Sequence, residues 1–237
     1  MTRLERGFTV KLARMLQKAA NDAANAVEYA GSSANIGQAL YWFDDELSRL
    51  FRIQYEATIE IFGSRILDAF KSHAKYEKKA ADIFSDKVLD WIRTQSAEKV
   101  SMVGGTTKCQ ITAAIDEGFG ASLTGSQVAK SIVERTGGAI AKARASVIAR
   151  TETHMASTYG SQEAMRSTGI PAKKVWISAE DERTRESHSM VDSESHSNPI
   201  AMDEMFVVGM DSMEAPGQGS DPAENINCRC VLGYRTD

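Results

Sequence analysis

The sequence predicts an α+β fold: a long helical N-terminal region followed by a small helix-plus-sheet C-terminal domain. Three observations carry this. All four prolines lie at or after Pro171, and interior proline costs a helix about 3 kcal/mol, so the first 170 residues are free to be helical. Apolar residues upstream recur at helical spacing. Downstream, short runs rich in β-branched and aromatic residues alternate with polar loops.

In chain order, "KLARMLQKAANDAANAVEYAG" reads as an Ala-rich helix stopped at Gly31. Phe51, Tyr55, Ile59, Phe62, Ile66 and Phe70 form an apolar stripe over five turns, and Phe84, Val88, Trp91 and Ile92 extend the pattern. Tyr41, Trp42 and Phe43 read either as core or as a docking patch. "MVGGTTK" interrupts the helical pattern and divides the chain into residues 1–105 and 106–237. Thr124 and Gln127 have capping-box spacing, Gly137–Gly138 ends that helix, and a long helix follows over about 139–166. "KKVWIS", "MFVVG" and "CRCVLGYR" are the expected strands. In the last, period two places Cys228, Cys230, Leu232 and Tyr234 on one face. Cys109 reads as a core position, and His73 and His154 as surface or packed histidines.

Composition narrows the function classes. The net charge of −4 divides into +3 over residues 1–170 (22 basic, 19 acidic) and −7 over 171–237 (6 basic, 13 acidic). That is not the basic patch of a dedicated nucleic-acid binder, so DNA contact falls to the helical part. No apolar run is long enough to span a membrane. A start without an apolar segment, and three cysteines in all, predict synthesis in a reducing cytoplasm without a disulfide framework.

Several short elements follow in one order: "ARTET" at 149–153, Trp176, "DERTRESH" at 181–188, Asp192, Phe206, a Pro-Gly loop at 216–217 and "NCRC" at 227–230. This series, over roughly 106–237, resembles the minor head, or head-morphogenesis, proteins of tailed bacteriophages, the family typified by the F protein of phage Mu. Ser193 stands where the family carries glycine after the aspartate. The resemblance implies a non-catalytic structural protein of the virion, made in the bacterial host cytoplasm and placed inside the head. The implied partners are the portal protein and other capsid or scaffold proteins, with non-specific DNA contact and no membrane. Such domains can also be joined to toxin modules, which makes a delivery domain a further reading.

The motif residues are Arg150, Thr151, Glu152, Trp176, Asp181, Arg183, Arg185, His188, Asp192 and Asn227. An internal ion-pair network is expected, with Glu152 meeting Arg183 or Arg185, because a guanidinium fork binds a carboxylate through two hydrogen bonds. Asp181, Glu182, Arg183, Arg185 and His188 also contain acid–base and phosphate-binding groups. A metal-dependent hydrolase or nuclease centred on His188, Cys228 and Cys230 is therefore the alternative. The chain lacks a Gly-rich phosphate loop and a nucleophile elbow. The cysteines themselves have three readings: buried thiols on a strand face, zinc ligands with His188 and His196 as a fourth, or a strained disulfide.

Overall fold

The computed structural model describes residues 2–72 and 85–236. His73 and Phe84 lie outside the described residues. No helix among those described is long and apolar enough to cross a membrane. The chain forms two compact units, and the divisions fall at Gln54/Tyr55, Asp90/Trp91 and Ala149/Arg150.

The first unit is helical. Helix α1 (Arg3–Ala30) begins in a reciprocal capping box between Thr2 and Glu5 and ends at Gly31 with φ 60°. Its buried face runs through Phe8, Leu12, Leu16, Ala19, Ala23 and Val27. The short α2 (Ile36–Ala39) is capped by Asn35. Helix α3 (Phe43–Phe70) starts here and brings Phe51 edge-on to Phe8, with centroids 5.4 Å apart. Phe43 is buried, Tyr41 is exposed, and Trp42 donates to Asp22 beneath the Lys18 ammonium.

Helix α4 (Asp86–Lys99) runs into a π-helical turn, Val100–Gly104, and then into α5 (Gly105–Gly120). The "MVGGTTK" segment therefore changes helical pitch where a break was expected. Arg144 satisfies this turn by donating to the Val103 carbonyl at 3.1 Å and to Thr107 at 2.8 Å. Cys109 is exposed on α5, a correction to its expected place in the core. Helix α6 (Gly125–Thr136) has the expected capping box at Thr124 and Gln127. It buries Val128, Ala129 and Ile132 and packs along α1.

The second unit contains the later turns of α3, the start of α4, and α7 (Gly138–Ser167) from Arg150 onward. The rest of this unit is the small sheet domain. Strand β1 (Ala172–Ile177) leads to α8 (Glu186–Ser197), a helix where the sequence predicts a polar loop. Then come β2 (Ile200–Ala201), β3 (Phe206–Val208), β4 (Asp211–Met213), α9 (Pro222–Asn225) and β5 (Val231–Thr236). β1 lies between β2 and β5, antiparallel to both, with Trp176 opposite Leu232; β3 and β4 form a separate hairpin. Strand β5 opens at Val231, so Cys228 and Cys230 precede the ladder instead of lying in it. Their alternation is kept: both are buried and Val231 is exposed.

The core of this domain is Trp176, Val191, Phe206, Val208, Met213, Cys228 and Cys230. Trp176 meets Phe206 edge-on at 5.5 Å. Lys174, on the same strand face, packs its ammonium 5.2 Å from the Phe206 ring and donates to the Glu214 carbonyl.

Gly160 reads from sequence as a weak point of α7, but its missing side chain is what lets α3 approach. A Cβ there meets the Ile59 Cα at 2.8 Å and its carbonyl at 3.2 Å. Gly160→Ala is expected to destabilise the protein by about 1–3 kcal/mol despite the better helix former. Gly7→Ala, where a Cβ meets nothing within 4 Å, is expected to stabilise it by about 0.5–1 kcal/mol. Urea unfolding of the two variants separates these outcomes.

Candidate functional site

Arg150, Thr151, Asp181, Arg185, His188 and Asn227 gather around the short stretch between α9 and β5. That stretch must leave the helix, turn and enter the ladder, and Asn227 makes the turn with φ 58°. Asparagine tolerates this left-handed conformation better than most residues. Its side-chain oxygen accepts from Arg150 Nη1 at 3.1 Å, and its backbone N–H donates to Thr151 Oγ1 at 3.2 Å. One turn further along α7, His154 Nε2 donates to the Cys230 carbonyl at 2.6 Å. Burial lowers the His154 pKa, which suits a neutral imidazole whose single proton is used in that bond. The Ala215–Gln218 turn packs on the same ring, with Pro216 followed by Gly217 at φ 83°. A Cβ at Gly217 would meet His154 Nδ1 at 2.8 Å.

"DERTRESH" forms a self-closed turn leading into α8. Asp181 Oδ1 accepts from the Arg183 N–H at 3.0 Å, and the Thr184 N–H donates to the Asp181 carbonyl at 2.8 Å. Both Asp181 oxygens also receive the Arg229 guanidinium, at 2.6 and 2.5 Å. That fork holds the Asp181 carboxyl well below the usual range. Arg185 donates to the Ile226 carbonyl at 2.7 Å. Arg183 is exposed, 4.0 Å from Asp181. The expected pairing of Glu152 with Arg183 or Arg185 is therefore replaced. Glu152 is buried and accepts from Tyr55 Oη at 2.6 Å.

Helix α8 completes strand β1. Because β2 is only two residues long, the N–H groups of Trp176 and Ser178 face α8 without a neighbouring strand. Ser195 Oγ accepts from Trp176 N at 2.9 Å, and Asp192 Oδ2 accepts from Ser178 N at 3.0 Å and Ser178 Oγ at 2.6 Å. His196 lies 2.8 Å from Asp192 Oδ1 and is 44% exposed. It stands apart from the cysteines, which corrects its suggested role as a fourth ligand.

The same helix aims His188 at the two thiols. His188 Nδ1 is 3.2 Å from Cys230 Sγ and 3.7 Å from Cys228 Sγ, and His188 Nε2 is 2.9 Å from Glu224 Oε2. His188, Cys228 and Cys230 are 1%, 2% and 2% exposed. The Trp176 ring packs edge-on to His188 at 5.2 Å. A hydrogen bond from the Cys228 thiol pulls the Cys230 thiol well below its usual range. Cys228, the thiol that gives its hydrogen bond, is pushed up. Glu224 was missed by sequence reasoning, and its only signal was a carboxylate four residues before Cys228.

Residues 106–233 match the family described as "Phage Mu protein F like protein". The chain belongs to that family, the head-morphogenesis family whose motif order it carries. It is 34% identical over 130 residues to "Minor head protein GP7" of Bacillus phage SPP1, a match covering 54% of this chain and 40% of that protein. It is also 32% identical over 87 residues to "NAD(+)--arginine ADP-ribosyltransferase EFV" of Enterococcus faecalis V583, covering 35% of this chain and 17% of that protein. The chain thus spans less than half the length of either relative. No solved structure matches it.

Asp192→Ala strips the acceptor from a buried β1 amide and is expected to cost about 1–3 kcal/mol. Asp192→Asn, whose amide oxygen still accepts, is expected to cost less. Thermal and urea unfolding of both variants checks the order.

Proposed function

We propose that this protein is a minor head component that works by binding other head proteins, without a catalytic step. It acts at the portal vertex or the inner capsid surface during procapsid assembly. The observation that carries this reading is where the motif side chains go. Arg150, Thr151, Asp181, Arg185 and Asn227 each form hydrogen bonds inside the domain. An active site instead needs acid–base and phosphate-binding groups that reach a substrate.

Burial argues against the hydrolase or nuclease alternative, because His188 and both cysteines are only 1–2% exposed. The minor head relative from phage SPP1 supports the virion role. We place non-specific DNA contact, as an aid to packaging or ejection, on the helices of residues 1–170, where the charge balance is +3. The family-matched segment, taken as 106–237, is the functional module, and the preceding helices adapt it to its partner.

A second reading is a delivery domain. It is favoured by the match to 17% of a protein named as an arginine ADP-ribosyltransferase. In that reading the shared segment carries an activity located elsewhere in such proteins.

The test is co-expression with the portal protein from the same genome. A complex of defined stoichiometry that survives purification is expected, and truncation after residue 105 then assigns the binding region. A monodisperse chain that passes through purification without the portal protein overturns the portal assignment.

A further inference from the structure

We propose that His188 Nδ1, Cys228 Sγ and Cys230 Sγ hold one zinc ion, with Glu224 as the carboxylate that orients the imidazole. The three donor atoms lie within 4.8 Å of one another and belong to buried residues. Tetrahedral zinc, with Zn–S near 2.3 Å and Zn–N near 2.0–2.1 Å, requires roughly 3.6 Å between nitrogen and sulfur. The two distances here, 3.2 and 3.7 Å, bracket that value. Two thiolates and an imidazole form a donor set that selects zinc over the hard cations.

The surroundings fit a metal site on three further counts. Glu224 accepts from His188 Nε2, which leaves the Nδ1 lone pair facing both sulfurs. This carboxylate–histidine arrangement is the usual second layer of a zinc centre. Glu224 is itself fixed by Ser187 Oγ at 3.0 Å. The Trp176 indole N–H is buried with no hydrogen-bond partner among the described residues. Phe206, Val191 and Met213 close the apolar side.

Binding releases the two thiol protons to solvent, and these side chains fill three of the four tetrahedral positions. The ion would tie α8 to the segment ahead of β5, two pieces otherwise joined by the Asp181–Arg229 and Arg185–Ile226 contacts. Its role here is to fix the domain. The proposal stands whether or not the portal assignment does.

The experiment is metal analysis of the full chain purified under reducing conditions, followed by removal of metal and titration with zinc and with cobalt. About one zinc per chain is expected, with a fall in melting temperature on chelation and a sulfur-to-cobalt charge-transfer band on cobalt loading. Cys228→Ser and Cys230→Ser should abolish that band. Cys109→Ser, at an exposed thiol, should leave it unchanged. Glu224→Gln should keep the band but weaken zinc binding roughly 10–100-fold. Where a cysteine variant does not fold, the wild-type titration decides. A folded wild-type chain that takes up no stoichiometric zinc and gives no charge-transfer band overturns the proposal. So does a native mass lower by two hydrogens, which would mark a Cys228–Cys230 disulfide.

Discussion

The segment Ile226–Cys230 has backbone polar groups that no ladder satisfies, and the organisation of the domain follows from how they are paired. Unpaired buried amides and carbonyls are costly, so such a stretch exists only where side chains reach it. Here Arg185 takes the Ile226 carbonyl, Thr151 the Asn227 amide and His154 the Cys230 carbonyl. The Cys228 amide closes locally on the Asn225 carbonyl. Segments far apart in sequence therefore converge on five residues. Once those are placed, β5 enters the sheet in the register that sets Trp176 opposite Leu232.

The charged groups of the motif act on geometry more than on stability. The Asp181–Arg229 fork is solvent-accessible, and such pairs add little to folding free energy. Its use is positional: it sets the turn before α8 against the strand-entry segment. Asp192 and Ser195 do the same from the other end of the helix, by giving β1 the acceptors that the two-residue β2 leaves out. Helix α8 behaves as a side-chain substitute for a strand, and that explains why a polar, Ser-rich sequence is helical there.

The legible parts of the fold were those specified locally. The capping box at Thr124 and Gln127, glycine stops and the late onset of proline announce α1, α6 and α7, and short runs rich in β-branched and aromatic residues announce β1 and β3. The α+β class follows from these alone. Helix α8 was not legible, because "ESHSMVDSESHS" has no apolar stripe and gains its stability from hydrogen bonds to β1. The start of β5 was misplaced for a related reason: alternation continues through Cys228 and Cys230, while the ladder does not. Glu152 was assigned to an arginine because opposite charge is visible in sequence, whereas a Tyr55 hydroxyl 97 residues away is not. The family motifs named most of the side chains that meet at the site, but not which of them touch.

Side chains from α7 hold Ile226–Cys230 in place. Amide hydrogen exchange at Asn227 tests it most directly, in the wild type and in Thr151→Ala. The Asn227 amide is expected to be protected and to exchange about 10-fold faster in the variant, while the β1–β5 amides keep their wild-type protection. Equal exchange at Asn227 in both proteins, at the rate of an unstructured peptide, would contradict it.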